Sequence, residues 1–301
     1  RDNYKSNPDV TCGPYNFVSY ENNMVKVSLN PLYVGNAEGD KPTIGNIVVQ
    51  IINPKLNVDL AIAGTIDFVS GETEGEKIDK ARQSDDLNFN EYPRNGYGVI
   101  QILCDIGATQ HKGVRQAIAY SLDRNEFVQN IQGGYGVVVN GAYGLAEFEY
   151  IEKGSEFEAQ ANNYTLNAEA ANAALDTTPY LYEADGTTKW DPAKAQAAYE
   201  ADKENFDYWR HDEEGNRLRV IHDGSTNNEV SDLISVQLPD NTKKVGMQYI
   251  FNPVPFNTLL DHFYYPNAAD PDAASVFNMG TGFDSLHDNY YQYHSSQIGV
   301  G

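Results

Sequence analysis

The chain has 301 residues and carries 43 Asp and Glu against 21 Lys and Arg, a net charge of −22. A field of that sign repels phosphate backbones, which sets nucleic acid aside as a partner. Hydrophobic residues make up 41%, enough for a packed core in about two domains, and no apolar run reaches the roughly 18 residues of a membrane helix.

Near the start, Val25, Val27 and Leu29 alternate with Lys26 and Ser28, the period of a half-buried strand between Gly13-Pro14 and Asn30-Pro31. The β-branched run "IGNIVVQII", between Gly45 and Pro54, predicts a more buried strand. A short helix is expected in "NVDLAIAG", a brief strand in "TIDFVSG" closing at Gly71, and a helix in "EGEKIDKARQ". "LNFNEYP" reads as extended, and "NGYGVIQILCD" as the next strand.

Two helices follow. Val114, Ala117, Ile118 and Leu122 share one helical face, and Asp123 with Glu126 has the spacing of a capping box for a second helix. Phe127 and Ile131 continue its apolar side, and Gly133-Gly134 supplies a left-handed stop. Asp123 therefore reads as a cap and not as a catalytic acid. Residues 145–215 are polar, with helix-forming sequence in "NAEAANAALD" and after Asp191-Pro192. Asp-Gly and Glu-Gly turns mark hairpins in "EADGTTKW" and "DEEGNRL".

The last third alternates regularly: strand "LRVIHD", helix "NEVSDLISVQLPD", strand "VGMQYIFN", helix "VPFNTLLDHFY", strand "ASVFNMGTGF". This β-α-β-α-β order predicts a mainly parallel sheet with crossover helices. Ligands of such sheets lie beyond the carboxyl ends of the strands, which selects the loops after Asp223, Asn252 and Phe283.

Enzyme signatures are missing: there is no GxSxG elbow, no HExxH and no phosphate-binding GxxxxGK loop. No catalytic residue, cofactor or metal is expected. Cys12 and Cys104 lie far apart and in no CxxC pair, and the one crowded His/Asp patch (Asp284, His287, Asp288, His294) does not by spacing alone make three converging ligands. The 21 tyrosines concentrate in "HFYYP", "DNYYQYH" and residues 180–208. Tyrosine gives stiff contact area with a polar tip, suited to peptides or sugars, although packing and surface filling account for many of them.

"GVRQAIAYSLDRNEFV" resembles the most recognisable segment of the family 5 extracellular solute-binding proteins, the oligopeptide- and dipeptide-binding components of ABC importers, at Val114, Arg115, Gln116, Ala117, Ile118, Ala119, Tyr120, Asp123 and Arg124. "CGPYNFVSYENNMVKVSLNPLYVGN", "KPTIGNIVVQII" and "AGTIDFVSG" resemble further family segments in the right order. The resemblance implies an α/β fold of the periplasmic-binding-protein type, two-lobed (type II), with residues 1–92 as part of lobe I and 93–301 as lobe II. The second lobe is expected to be complete or nearly so and the first partial, so that the chain resembles an internal fragment with any signal or lipoprotein anchor upstream of Arg1.

The resemblance further implies capture of a peptide or other small solute outside the cytoplasm by a monomer, without catalysis, for delivery to ABC permease membrane subunits. Oligosaccharide or metal-chelate binding is the alternative within the family, and a signalling or chaperone-like binding domain without transport the alternative outside it. The expected ligand-binding residues are Tyr97, Tyr143, Phe283, Asp284 and His287. Peptide binders of the family carry an acidic residue shortly after a Gly-Trp pair; Phe283 takes the Trp place in "GTGFDSLHDNYY", with Asp284 and Asp288 off that register.

Overall fold

The computed structural model describes Tyr4, residues 7–283 and residues 287–297. The chain divides into two compact units, Arg1–Asp59 and Leu60–Gly301.

The first unit is an antiparallel meander of β1 (Tyr15–Glu21), β2 (Met24–Leu29) and β3 (Asn46–Gln50). Asn22 and Asn23 join β1 to β2 with φ of 51° and 60°. Two left-handed residues make the turn whose twist matches a hairpin, and Asn tolerates that conformation. The register shifts between Phe17 and Ser19, and this irregularity breaks the period-two signal that would have marked β1 in the sequence. Asn30 secures the end of β2: its side-chain amide donates to the Gly13 carbonyl at 2.9 Å, its backbone N–H donates to Pro14 O at 2.9 Å, and its Oδ1 accepts from the Leu32 N–H at 3.0 Å. β3 is less buried than its β-branched run suggests. It pairs with β2 alone among the described strands, and Val48 and Val49 are 54% and 59% exposed.

The helices are α1 (Asn57–Ile62), α2 (Gly75–Gln83), α3 (Lys112–Ser121), α4 (Arg124–Asn130), α5 (Phe148–Gln160), α6 (Ala168–Leu175), α7 (Pro192–Ala201), α8 (Glu229–Lys243), α9 (Phe256–Tyr264) and α10 (Tyr290–Tyr293). Residues 65–71 form no strand, correcting the reading of "TIDFVSG", and α5 occupies a segment whose polar sequence did not announce it. The sheet of the second unit orders β4 (Gly96–Ile102), β7 (Val276–Gly282), β5 (Arg219–Ser225) and β6 (Gln248–Val254) as β4-β7-β5-β6. β5 runs parallel to β6 and β7, and β4 closes one edge antiparallel to β7.

Strand alternation sorts this sheet's side chains onto two faces. Val220, Tyr249 and Val276 pack with Val114, Ala117 and Ile118 of α3, Ala171 and Leu175 of α6, and Ile234 and Leu238 of α8. Their neighbours Ile221 and Phe277 turn to the other face, against Leu259 of α9. A smaller cluster of Trp190, Ala195, Phe206 and Trp209 holds α7, and the Arg210 guanidinium lies 4.1 Å from the Trp190 ring.

Local signals in the sequence hold where they are self-contained. Asp123 Oδ1 accepts from the Asn125 N–H at 3.1 Å, Asp191 caps α7 ahead of Pro192, and Gly133 and Gly134 have φ of 57° and 84°. The reciprocal half of the capping box is displaced. Gln237 Oε1 accepts the Asp123 N–H at 2.8 Å, and the Gln237 amide donates to Glu126, so α8 takes over the role Glu126 would have had.

Two predictions follow from this packing. A Cβ on Gly113 would stand 2.2 Å from the Ala174 carbonyl oxygen, so α3 meets α6 backbone to backbone. Gly113→Ala should cost about 1–3 kcal/mol in urea unfolding. In the core, His222 Nδ1 lies 2.7 Å from the Tyr249 hydroxyl and Nε2 lies 3.0 Å from Asn278 Oδ1. The neutral ring satisfies both, donating from Nε2 and accepting at Nδ1. Burial pushes this imidazole down to about 4 from an ordinary 6.5. A depressed His contributes its stability fully above pH 6.5 and loses it as pH falls toward 4. Wild-type unfolding free energy should therefore drop by about 3 kcal/mol across that window from this group alone, and His222→Gln should remove that share of the drop.

Candidate functional site

The register of β4 on β7 brings three of the five expected residues together, Tyr97, Phe283 and His287. Gly96 faces Gly282 and Tyr97 faces Thr281, and the ladder continues where Phe283 N–H donates to Asn95 O at 2.9 Å. Asn95 Nδ2 donates to Phe283 O at 3.2 Å, and Arg94 donates to Thr281 O at 3.1 Å. This pins Phe283 just past the strand end. Its ring centroid lies 5.3 Å from that of Tyr97 and 4.3 Å from that of His287. The Tyr97 and Tyr293 hydroxyls are 3.2 Å apart, and the Tyr290 ring stacks on His294 at 4.6 Å. Burial, then the hydrogen bond with Tyr293, pushes the Tyr97 hydroxyl well above its ordinary value, so it stays a neutral donor and acceptor.

Tyr97, Phe283 and His287 thus form one half-buried aromatic wall, with Tyr293 at its edge. Asp284 lies outside the described residues. Tyr143 belongs to a separate stack. It is 7% exposed, lies 4.5 Å from the Tyr150 ring and 6.3 Å from Phe157, accepts from the Asn140 N–H at 3.0 Å, and donates its hydroxyl to Glu158. Burial and that carboxylate push its hydroxyl up to about 12.

Glu147 and Asn289 escaped the sequence reading. Glu147 is 3% exposed, and burial raises its carboxyl above the usual range while His287 draws it back. The side-chain amide of Asn289 donates to Ala142 O at 2.7 Å, tying the segment after Phe283 to the loop before α5. Neither residue has a motif to mark it. Their importance comes from long-range packing alone.

The other tyrosine-rich segments are largely engaged locally or left on the surface. Tyr182 donates to Glu213 and Tyr208 to Glu183, at 2.9 and 2.8 Å, and Tyr264 and Tyr265 are exposed. At the carboxyl end of β5, Asp223 is buried against His262 Nδ1 at 2.6 Å and accepts from Asn252 at 3.3 Å. Beyond these, Ser225, Thr226, Ser231, Tyr249 and Phe251 line an open depression. Among the described residues no three His, Cys, Asp or Glu side chains converge as a metal site, and no helix is long and apolar enough to cross a membrane.

The sequence profile of the bacterial extracellular solute-binding proteins, family 5 (middle), matches residues 1–299. The chain belongs to this family. Solved structures of similar fold include the oligopeptide-binding protein AppA from Bacillus subtilis in complex with a nonapeptide, at 19% identity and a TM-score of 0.69, covering 95% of this chain and 50% of that one. Lactococcal OppA complexed with an endogenous peptide matches at 15% identity and 0.68, over 89% of this chain and 47% of its own. NikZ from Campylobacter jejuni in complex with Ni(L-His) matches at 17% and 0.64, over 98% and 51%. The mixed α/β fold is that of the two-lobe periplasmic binding proteins, and the chain spans about half the length of these structures. No curated protein matches the sequence.

The two roles of tyrosine here are separable. Tyr143→Phe removes a donor from a part-buried carboxylate and should destabilise the fold by about 1–3 kcal/mol in urea. Tyr97→Phe gives up only a hydroxyl–hydroxyl contact at the edge of the wall and should cost under about 1 kcal/mol.

Proposed function

We propose that this chain is the ligand-capturing part of an extracytoplasmic solute-binding component of an ABC importer, taking oligopeptides between two lobes and presenting them to the permease in the membrane. On this reading residues 1–92 contribute to the first lobe and 93–301 form the second, and no bond is made or broken. Closure about a hinge desolvates the ligand, and release follows when the lobes open.

The observation that carries the reading is the aromatic wall of Tyr97, Phe283 and His287, built where β4 and β7 meet. Stiff rings with polar tips give contact area that tolerates varied side chains, while backbone groups at a strand end supply directional bonds. Family membership and the peptide-bound structures of AppA and OppA support the same solute class. Tyr143, in its stack with Tyr150, buttresses the loop that approaches this wall. A signal or lipid anchor outside these residues would hold the protein at the cell surface.

A second reading has its own observation. His287 presents a buried Nε2 without a hydrogen-bond partner beside the wall, and NikZ, of similar fold, holds Ni(L-His). A small metal–amino acid chelate is therefore the competing ligand.

Thermal unfolding of the complete gene product against a panel of peptides, oligosaccharides and nickel–histidine separates the readings. A ligand bound only by the folded state stabilises by mass action, about 2.7 kcal/mol at a hundredfold excess over Kd. Stabilisation by peptides alone supports the leading reading. Stabilisation by the chelate alone, or by no member of the panel, overturns it. Phe283→Ala should weaken the peptide response about tenfold or more, as loss of a central aromatic anchor does.

A further inference from the structure

The depression between α8 and β6 is underlain by a buried hydrogen-bond chain whose two end residues both line it. It holds about 500 Å³, and β6 is the edge strand of the four-stranded sheet, so no further described strand closes it on that side. Gly224 makes room for the chain. A Cβ there would stand 2.1 Å from the Phe251 ring and 2.8 Å from Asn278 Oδ1. Without one, the Phe251 ring settles with its centroid 5.0 Å from that of His222.

The chain has a direction. Burial keeps His222 neutral, so its ring accepts the Tyr249 hydroxyl at Nδ1 and donates from Nε2 to Asn278 Oδ1. The Asn278 amide donates in turn to Ser231 Oγ at 3.1 Å. Tyr249 thus turns its proton inward and keeps lone pairs, while Ser231 gives a lone pair inward and keeps its proton. Ser231 is 2% exposed, and its hydroxyl donates to no acceptor among the described residues. A polar group buried to that degree is ordinarily fully paired, so the unused proton marks a place for a further acceptor.

The lining selects the class of ligand. Ser225, Thr226 and Ser235 add hydroxyls and Asp232 a carboxylate, beside the Tyr249 and Phe251 rings. An anion would meet Asp232, and Glu229 in the same first turn of α8, and no Lys or Arg lines the depression among the described residues. Hydroxyls that both donate and accept match a compound carrying the same groups on successive carbons.

We propose that the depression between α8 and β6 is a binding site for a neutral sugar, with Ser231 donating to the ligand and Tyr249 accepting from it. The site shares no residue with the wall of Tyr97, Phe283 and His287, and the assignment stands whatever solute that wall takes.

Ligand-observed NMR titration of the complete gene product tests this with glucose, galactose and mannose, each alongside its uronate. At least one neutral sugar should bind. Its uronate should bind about fivefold more weakly or worse, the effect of like unit charges about 4 Å apart in water. Ser231→Ala should weaken the sugar about 3- to 10-fold, the range of one lost hydrogen bond. That change also strands the Asn278 amide in the core, so a second variant is needed. Ser235→Trp fills the depression from the half-buried side of α8 and should weaken the sugar about tenfold or more, whereas Phe283→Ala should leave it within about threefold of wild type. Three results each overturn the site: no binding by any of these sugars, binding that Phe283→Ala abolishes, and binding that Ser235→Trp leaves unchanged. A uronate that binds as tightly as its parent sugar overturns the neutral class.

Discussion

A Cβ on Gly96 would come within 2.1 Å of the Thr281 carbonyl oxygen, and Gly282 faces Gly96 across the ladder. This close approach of β4 to β7 governs the aromatic end of the sheet of the second unit. It sets Tyr97 against Phe283, and through Phe283 it draws in His287 and the tyrosines of α10. Glycine at the crossing removes the side chains that would hold the two backbones apart, so the rings beyond it can touch. A one-residue slip would turn Tyr97 to the opposite face of the sheet and dismantle the wall, because side chains alternate along a strand.

The family's most recognisable segment serves the scaffold. Arg124 donates to the carbonyls of Tyr164 and Val139 and to the side chains of Asn140 and Asn163, all at 3.0–3.1 Å where Nε, Nη1 and the amide oxygens are concerned. Arg115 closes the turn before α3 by donating to Thr109 O and Gln110 O, at 2.7 and 3.0 Å. One planar fork with several donors can collect oxygens from two loops, as Arg124 does from Val139–Asn140 and Asn163–Tyr164, which a Lys could not do with the same geometry. The loop from Val139 to Glu147 is thereby anchored at the base of α4, and that loop carries both Tyr143 and Glu147.

What was legible in the sequence divides along the same line. Features set by neighbours in the chain are readable: the Asp191-Pro192 start of α7, the Asp123 cap, the two glycines ending α4, and the alternation of strands and helices after residue 217. Tyr97, Phe283 and His287 were found through resemblance, which places loops, and the β4–β7 register then brought them into contact. Glu147 and Asn289 had no such signal. An acid in a polar stretch reads as solvated, and only packing from residues far away in sequence turns it inward. Interruptions of period hid β1, where the bulge lies between Phe17 and Ser19. The apolar run of β3 misled in the other direction, because β-branching reports strand preference and leaves burial to the neighbours a strand acquires.

The strand order carries a consequence for folding. Among the described strands of the second unit β7 is the last in the sequence, yet it sits inside the sheet, between β4 and β5. The ribosome therefore delivers β4, β5 and β6 before the strand that joins the first of them to the others. Until β7 arrives, β4 has no partner in that sheet among the described strands, and the loop-closure cost of bringing these distant segments together makes their pairing a slow event. The contact of Tyr97 with Phe283 thus forms only after β7 has paired with β4.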